Sequence, residues 1–123
     1  MRFRCFIVDD NASFLTAARG LLEGEGVSVV GTASNSADAL REVAASRPDV
    51  VLVDVWLGEE SGLELARRLV EGGEPDGAPV VLISTRAEAE VADLVAGSPA
   101  AGFVSKADLS AAAIRRLLDS GSD

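Results

Sequence analysis

Three carboxylates, one hydroxyl and one ammonium fall in this 123-residue chain where chemistry would use them together. The first apolar run, Phe3–Val8, leads straight into Asp9 and Asp10, and the third ends in Asp54. The fourth ends in Ser84 and Thr85, and the fifth is followed closely by Lys106. Neighbouring carboxylates raise one another's pKa, so a trio stays ionised only beside a cation. The chain has no histidine, and its single cysteine, Cys5, lies inside an apolar run where a small buried residue is wanted. The ligand set is therefore all oxygen. That is the chemistry of Mg²⁺, which takes one or two carboxylates and keeps several waters. A carboxylate beside that ion is a nucleophile towards phosphorus. The ion, a lysine ammonium and a hydroxyl would divide the three oxygens of a transferring phosphoryl group.

Each of these residues has a plainer use when taken singly. An aspartate after a strand commonly starts a turn or caps a helix, and Asp10 with Asn11 fits that description. Ser84 alone reads as a core hydroxyl and Lys106 alone as a solvated side chain. Their common placement favours the chemical reading. So does the bias of the cations: ten of the eleven are arginine, and Lys106 is the only lysine.

The elements that must position these groups alternate along the whole chain. Short Val- and Ile-rich runs at Phe3–Val8, Val27–Ala33, Val50–Val53, Pro79–Ile83 and Ala101–Val104 suit parallel strands buried on both faces. Between them apolar residues recur at helical spacing, as in Phe14, Leu15, Ala18, Leu21 and Leu22, or Leu63, Ala66, Leu69 and Val70. Ser36, Ser61 and Asp108 stand at expected N-caps, and Gly24, Gly72 and Gly97 near expected helix ends. Five strand–helix units make an α/β fold with a doubly wound parallel sheet, in which function collects outside the carboxyl ends of the strands. One domain over 1–118 is expected, with the residues from Asp119 to Asp123 a frayed tail.

Composition narrows the function classes. At 48% apolar residues the chain can build a core. Its 20 acidic residues against 11 basic ones leave a net charge of −9, which disfavours a direct grip on nucleic acid. No apolar run approaches the roughly 20 residues of a membrane helix, no signal peptide is expected before the first strand, and a lone cysteine offers no disulfide framework. The expectation is a soluble, cytoplasmic chain with no membrane partner.

The stretches IVDDN, VLVDVWL with SGLELARRL, VVLIST and AGFVSK, at these spacings, resemble the receiver domain of bacterial two-component response regulators over essentially the whole chain. The resemblance implies a flavodoxin-like sheet of order 2-1-3-4-5 with five helices. It implies that Asp54 is the phosphoacceptor, that Asp10 binds Mg²⁺ directly and Asp9 chiefly through water, and that the Trp56 carbonyl is a further ligand. Ser84 and Lys106 would contact the phosphoryl group. Phe103 matches an aromatic switch that turns inward when Ser84 moves, and is equally readable as a core aromatic. The implied partners are a sensor histidine kinase and, through the surface of the fourth helix, fifth strand and fifth helix, a second copy or another protein. AGFVSKADL resembles receivers that precede a helix-turn-helix domain; a stand-alone receiver is the other expectation.

Several positions depart from the family pattern. Ala107 stands where proline with a cis bond is common, and a cis peptide before alanine costs about 2.5–4 kcal/mol. Thr85 stands where a smaller residue is frequent, the GEESG loop lacks a common proline and adds Glu59 and Glu60, and Trp56 places the only indole at the mouth. Trp56, Thr85 and Arg86 are read as tuning the lifetime of the phosphoryl group. Two rival chemistries fit less well. A haloacid dehalogenase-type phosphatase wants a second aspartate two residues after the first, where this chain has Trp56; a nucleotide-binding P-loop wants GxxxxGK[ST], which is missing. A phosphorylation-independent pseudo-receiver, acting as an interaction module, keeps the fold without the chemistry.

Overall fold

Five runs of mostly branched aliphatic residues pair in parallel: β1 (Arg4–Val8), β2 (Ser28–Ala33), β3 (Val50–Asp54), β4 (Val80–Ser84) and β5 (Gly102–Ser105). A computed structural model of the chain describes residues 3–72, 78–85 and 88–120. The sheet order is β2-β1-β3-β4-β5, the flavodoxin-like order. Helices α1 (Ala12–Gly24), α2 (Ser36–Ser46), α3 (Gly62–Glu71), α4 (Glu88–Ala96) and α5 (Ala111–Ser120) make the connections and cover the faces.

Alternation along the strands builds two cores. Val51, Val53, Leu82 and Phe103 share one with Ala39 of α2, Leu65 and Leu69 of α3 and Val91 of α4. Val50, Leu52, Ile83 and Val104 face the other way, against Ala18 and Leu22 of α1 and Ile114 of α5. Both faces are covered, which is why the runs read as continuously apolar. No helix among the described residues is long and apolar enough to cross a membrane.

Some helix starts differ from the sequence reading. Ser61 caps α3 as expected, accepting from the Glu64 N–H at 3.2 Å. For α2 the cap is Asn35, which accepts from Asp38 N–H at 2.9 Å, and Ser36 is already helical. Asp108 is no cap either. It closes a 3-10 turn, Lys106–Asp108, after which Leu109 turns into the core, so α5 starts late, with the Ser110 hydroxyl accepting from Ala113 N–H at 3.0 Å. At its other end α5 runs through Asp119 to Ser120, past the expected boundary at Leu118. Backbone bonding extends a helix beyond its last apolar residue, and helix ends carry that ambiguity. The Lys106–Ala107 peptide is trans, and no cis bond occurs among the described residues.

Candidate functional site

Register brings the chemistry to one edge. Val8 pairs with Val53, so Asp9 and Asp54 leave the sheet side by side. Asp54 pairs with Ile83, and Ser84 with Ser105, so the ends of β4 and β5 reach the same level with Lys106 next in the chain. Ligand atoms of Asp9, Asp10 and Asp54 lie within 4.8 Å of one another. Asp9 is fully buried, Asp54 is 8% exposed and Ser84 2%, while Asp10 is exposed.

Lys106 ties two of the acids together. Its Nζ donates to Asp54 Oδ2 at 3.0 Å and stands 2.5 Å from Asp9 Oδ2. The Asp9 contact is a buried ion pair. Asp9 Oδ1 accepts from the Asn11 N–H at 2.9 Å, and Asp54 Oδ1 accepts from the Trp56 N–H at 3.1 Å. Each Asp54 oxygen therefore has a donor, which fixes the plane of the carboxylate.

Burial pushes the Asp54 carboxyl above its ordinary value, against the Trp56 N–H and Lys106, which favour its ionised form; Asp9 adds to the upward push. For Lys106, burial opposes the charge, but the Asp9 and Asp54 contacts outweigh it and hold the ammonium above its ordinary value. The charged site thus sets three carboxylates against one ammonium. The remainder of two negative charges and the all-oxygen donor set fit a divalent hard cation.

The loop after β3 is shaped by two glycines. Trp56–Leu57 pairs with Glu60–Ser61 as a short antiparallel hairpin, whose turn places Gly58 at φ 62°, within reach of Asp10. Gly62 then packs so closely that a Cβ there would lie 1.7 Å from the Asp54 carbonyl oxygen. Glu60 does not stand free beside the acids: its Oε1 accepts from Ser36 N–H at 2.8 Å, satisfying a donor at the start of α2.

Asp9, Asp10, Asp54 and Lys106 are thus gathered, with Ser84 at the buried end of β4. Trp56 presents its backbone to Asp54 while its side chain is 42% exposed. Thr85 is exposed, Phe103 is buried among core residues below the edge, and Arg86 lies outside the described residues. Two participants escaped the sequence reading. Gly62 had a signal in the SGLELARRL stretch, although its spacing could not reveal the close approach. Phe14 belongs by its spacing to the apolar face of α1, and its ring centroid lies 4.3 Å from Lys106 Nζ.

The profile of the response regulator receiver domain family matches residues 5–118. A protein-glutamate methylesterase/protein-glutamine glutaminase 2 of Cereibacter sphaeroides is 37% identical over 113 residues, 89% of this chain and 30% of that protein. Another protein of this kind, from Geobacter metallireducens, is 36% identical over 88 residues, 71% of this chain and 24% of its own length. The chain therefore spans under a third of these curated relatives. Among solved structures, the signal receiver domain of a modulated diguanylate cyclase from Desulfovibrio desulfuricans superposes with a TM-score of 0.78 at 27% identity, covering 98% of this chain and 93% of that one.

Proposed function

Since this chain belongs to the response regulator receiver domain family, we propose that it is a cytoplasmic phosphoacceptor, with Asp54 receiving a phosphoryl group from the phosphohistidine of a sensor kinase. The observation that carries this reading is Lys106 Nζ poised between Asp54 Oδ2 and Asp9 Oδ2, on an edge where three acids converge. An Asp54 oxygen bonds to phosphorus as the donor's P–N bond breaks. The imidazole leaves with the electron pair and takes up a proton. The Trp56 N–H and Lys106 orient the attacking carboxylate, and burial keeps it more basic than an exposed aspartate. Lys106 and the Ser84 hydroxyl then donate to phosphoryl oxygens. Mg²⁺, held by Asp9, Asp10, Asp54 and the Trp56 carbonyl, would balance charge on the phosphoryl oxygens when bound.

Modification of Asp54 draws Ser84 towards the new oxygens and biases Phe103, so that the surface of α4, β5 and α5 changes. Phe103 is packed in the core, and in this proposal it is the aromatic that responds to Ser84. That surface is the proposed docking place for a second copy or a partner, while the net charge of −9 argues against direct nucleic-acid binding. Trp56, Thr85 and Arg86 set how long the phosphoryl group lasts. The esterase activity named for the curated relatives is those proteins' own.

Intact-mass measurement with Mg²⁺ and phosphoramidate tests the reading. One added phosphoryl group is expected on the parent chain and none on Asp54→Asn. No addition to the parent would mark a pseudo-receiver, and addition that persists in Asp54→Asn would remove Asp54 from its role. Trp56 fluorescence is expected to respond to Mg²⁺ in the parent and to lose that response in Asp10→Ala.

A further inference from the structure

We propose that Phe14 is a positioning residue for Lys106, its ring face holding the ammonium at the site while the Asp54 contact is exchanged for a phosphoryl oxygen. The inference rests on the phosphoacceptor reading above and adds a residue to its machinery. Lys106 Nζ lies 4.3 Å from the Phe14 ring centroid, inside the reach of a cation–π contact. The ammonium thus meets Asp54, Asp9 and an aromatic face together.

The first of these partners is the one that changes in the reaction. Once an Asp54 oxygen is bonded to phosphorus, the ammonium must turn to a new acceptor, and a long flexible lysine stem has many other places to go. A third carboxylate could restrain it, but only by adding negative charge where a phosphoryl group must arrive. The ring attracts the cation through its quadrupole, brings no net charge and leaves the N–H donors free for oxygen. Its hold depends on distance to the charge, not on one donor angle, so it survives the small displacement that the exchange demands.

The ring is itself fixed to the site. Phe14 N–H donates to Asn11 Oδ1 at 3.1 Å, which caps α1, and Asn11 N–H donates to Asp9 Oδ1 at 2.9 Å. One short segment therefore carries both a site carboxylate and the ring, and the two converge on a lysine contributed by the far end of the chain. Phe14 also packs partly buried on the α1–α5 core. Leucine would replace that packing without the π face, whereas tyrosine would keep both.

Because Lys106 is the only lysine, isotope-labelled lysine gives the folded chain a single side-chain spin system. Its ε-CH₂ resonance is expected upfield in the parent and in Phe14→Tyr, shielded by the ring, and downfield of that position in Phe14→Leu. Transfer from phosphoramidate, in which the P–N bond breaks and ammonia leaves, should slow about three- to tenfold in Phe14→Leu and stay near parental in Phe14→Tyr. An unmoved Lys106 resonance in Phe14→Leu overturns the inference, and so does a moved resonance with an unchanged rate. A parent that accepts no phosphoryl group overturns the phosphoacceptor reading, and this inference with it. Should Phe14→Leu not fold, the parent spectrum decides: a shielded Lys106 sustains the contact, and one at its unfolded-chain position removes it.

Discussion

Alanine in place of Gly62 should be among the most damaging single-methyl additions to this fold. The new Cβ would lie 1.7 Å from the Asp54 carbonyl oxygen, 2.8 Å from the carbon bearing it and 2.9 Å from the Val55 carbonyl oxygen. A carbon and a carbonyl oxygen in contact want about 3.3 Å, so the two backbones must part by roughly 1.6 Å. All three obstacles are backbone, two of them atoms of Asp54 at the end of β3, and no side chain can swing aside. Overpacking a core costs about 1–3 kcal/mol, and this case belongs at or above its upper end. At about 4 °C per kcal/mol for a chain of this size, the melting midpoint should drop by roughly 12 °C. Because the displaced carbonyl belongs to Asp54, phosphoryl transfer should fall about a hundredfold in any protein that remains folded. Gly20 is the matched control. It sits exposed in the middle of α1 with nothing within 4 Å of its Cβ position, so alanine there should stabilise by about 0.5–1 kcal/mol. Thermal melts followed by circular dichroism would read both. A Gly62→Ala midpoint within about 3 °C of the parent, or shifts of the same sign in the two variants, would refute the steric reasoning.

Asp54→Asn should be more stable than the parent at neutral pH. Burial raises the folded-state pKa of Asp54, so the folded chain binds the proton more tightly than the unfolded one, and ionisation costs stability as pH rises above about 4. Urea titrations should show the advantage of the variant growing from pH 4 to neutrality; an advantage that shrinks over this range contradicts the burial argument. Glu25→Ala should lower the melting midpoint by about 4 °C, since Glu25 Oε1 accepts from Ala111 N–H at 2.7 Å and caps α5 from the end of α1. Glu25→Gln keeps the acceptor and should recover about half of that loss, whereas a midpoint unchanged in Glu25→Ala would mean that the cap contributes nothing.

Local pattern carried most of what places the site. The five apolar runs end at Val8, Ala33, Val53, Ile83 and Val104, each within a residue of where its strand ends, because a strand buried on both faces must be apolar throughout. Parallel strands share a carboxyl edge, so strand order in the chain alone puts Asp9, Asp10, Asp54, Ser84 and Lys106 on one edge. Caps were less legible. Asn35 and Ser36 are both good caps, and one residue of backbone geometry chooses between them. Asp108 lost its role because Leu109 had a core to enter, which is a fact of packing.

The amino-acid sequence settled the elements, their parallel stacking and the kinds of chemistry available at the edge, since these follow from periodicity and residue type. Tertiary structure alone decided that Lys106 reaches both Asp9 and Asp54, that a ring from α1 faces its ammonium, that Glu60 serves α2, and that Gly62 admits no methyl group. All but the last join positions remote in the chain, and the last joins the two ends of one loop. Their meeting depends on strand register and on how helices seat against the sheet, and a pattern that repeats every two or 3.6 residues holds no record of either.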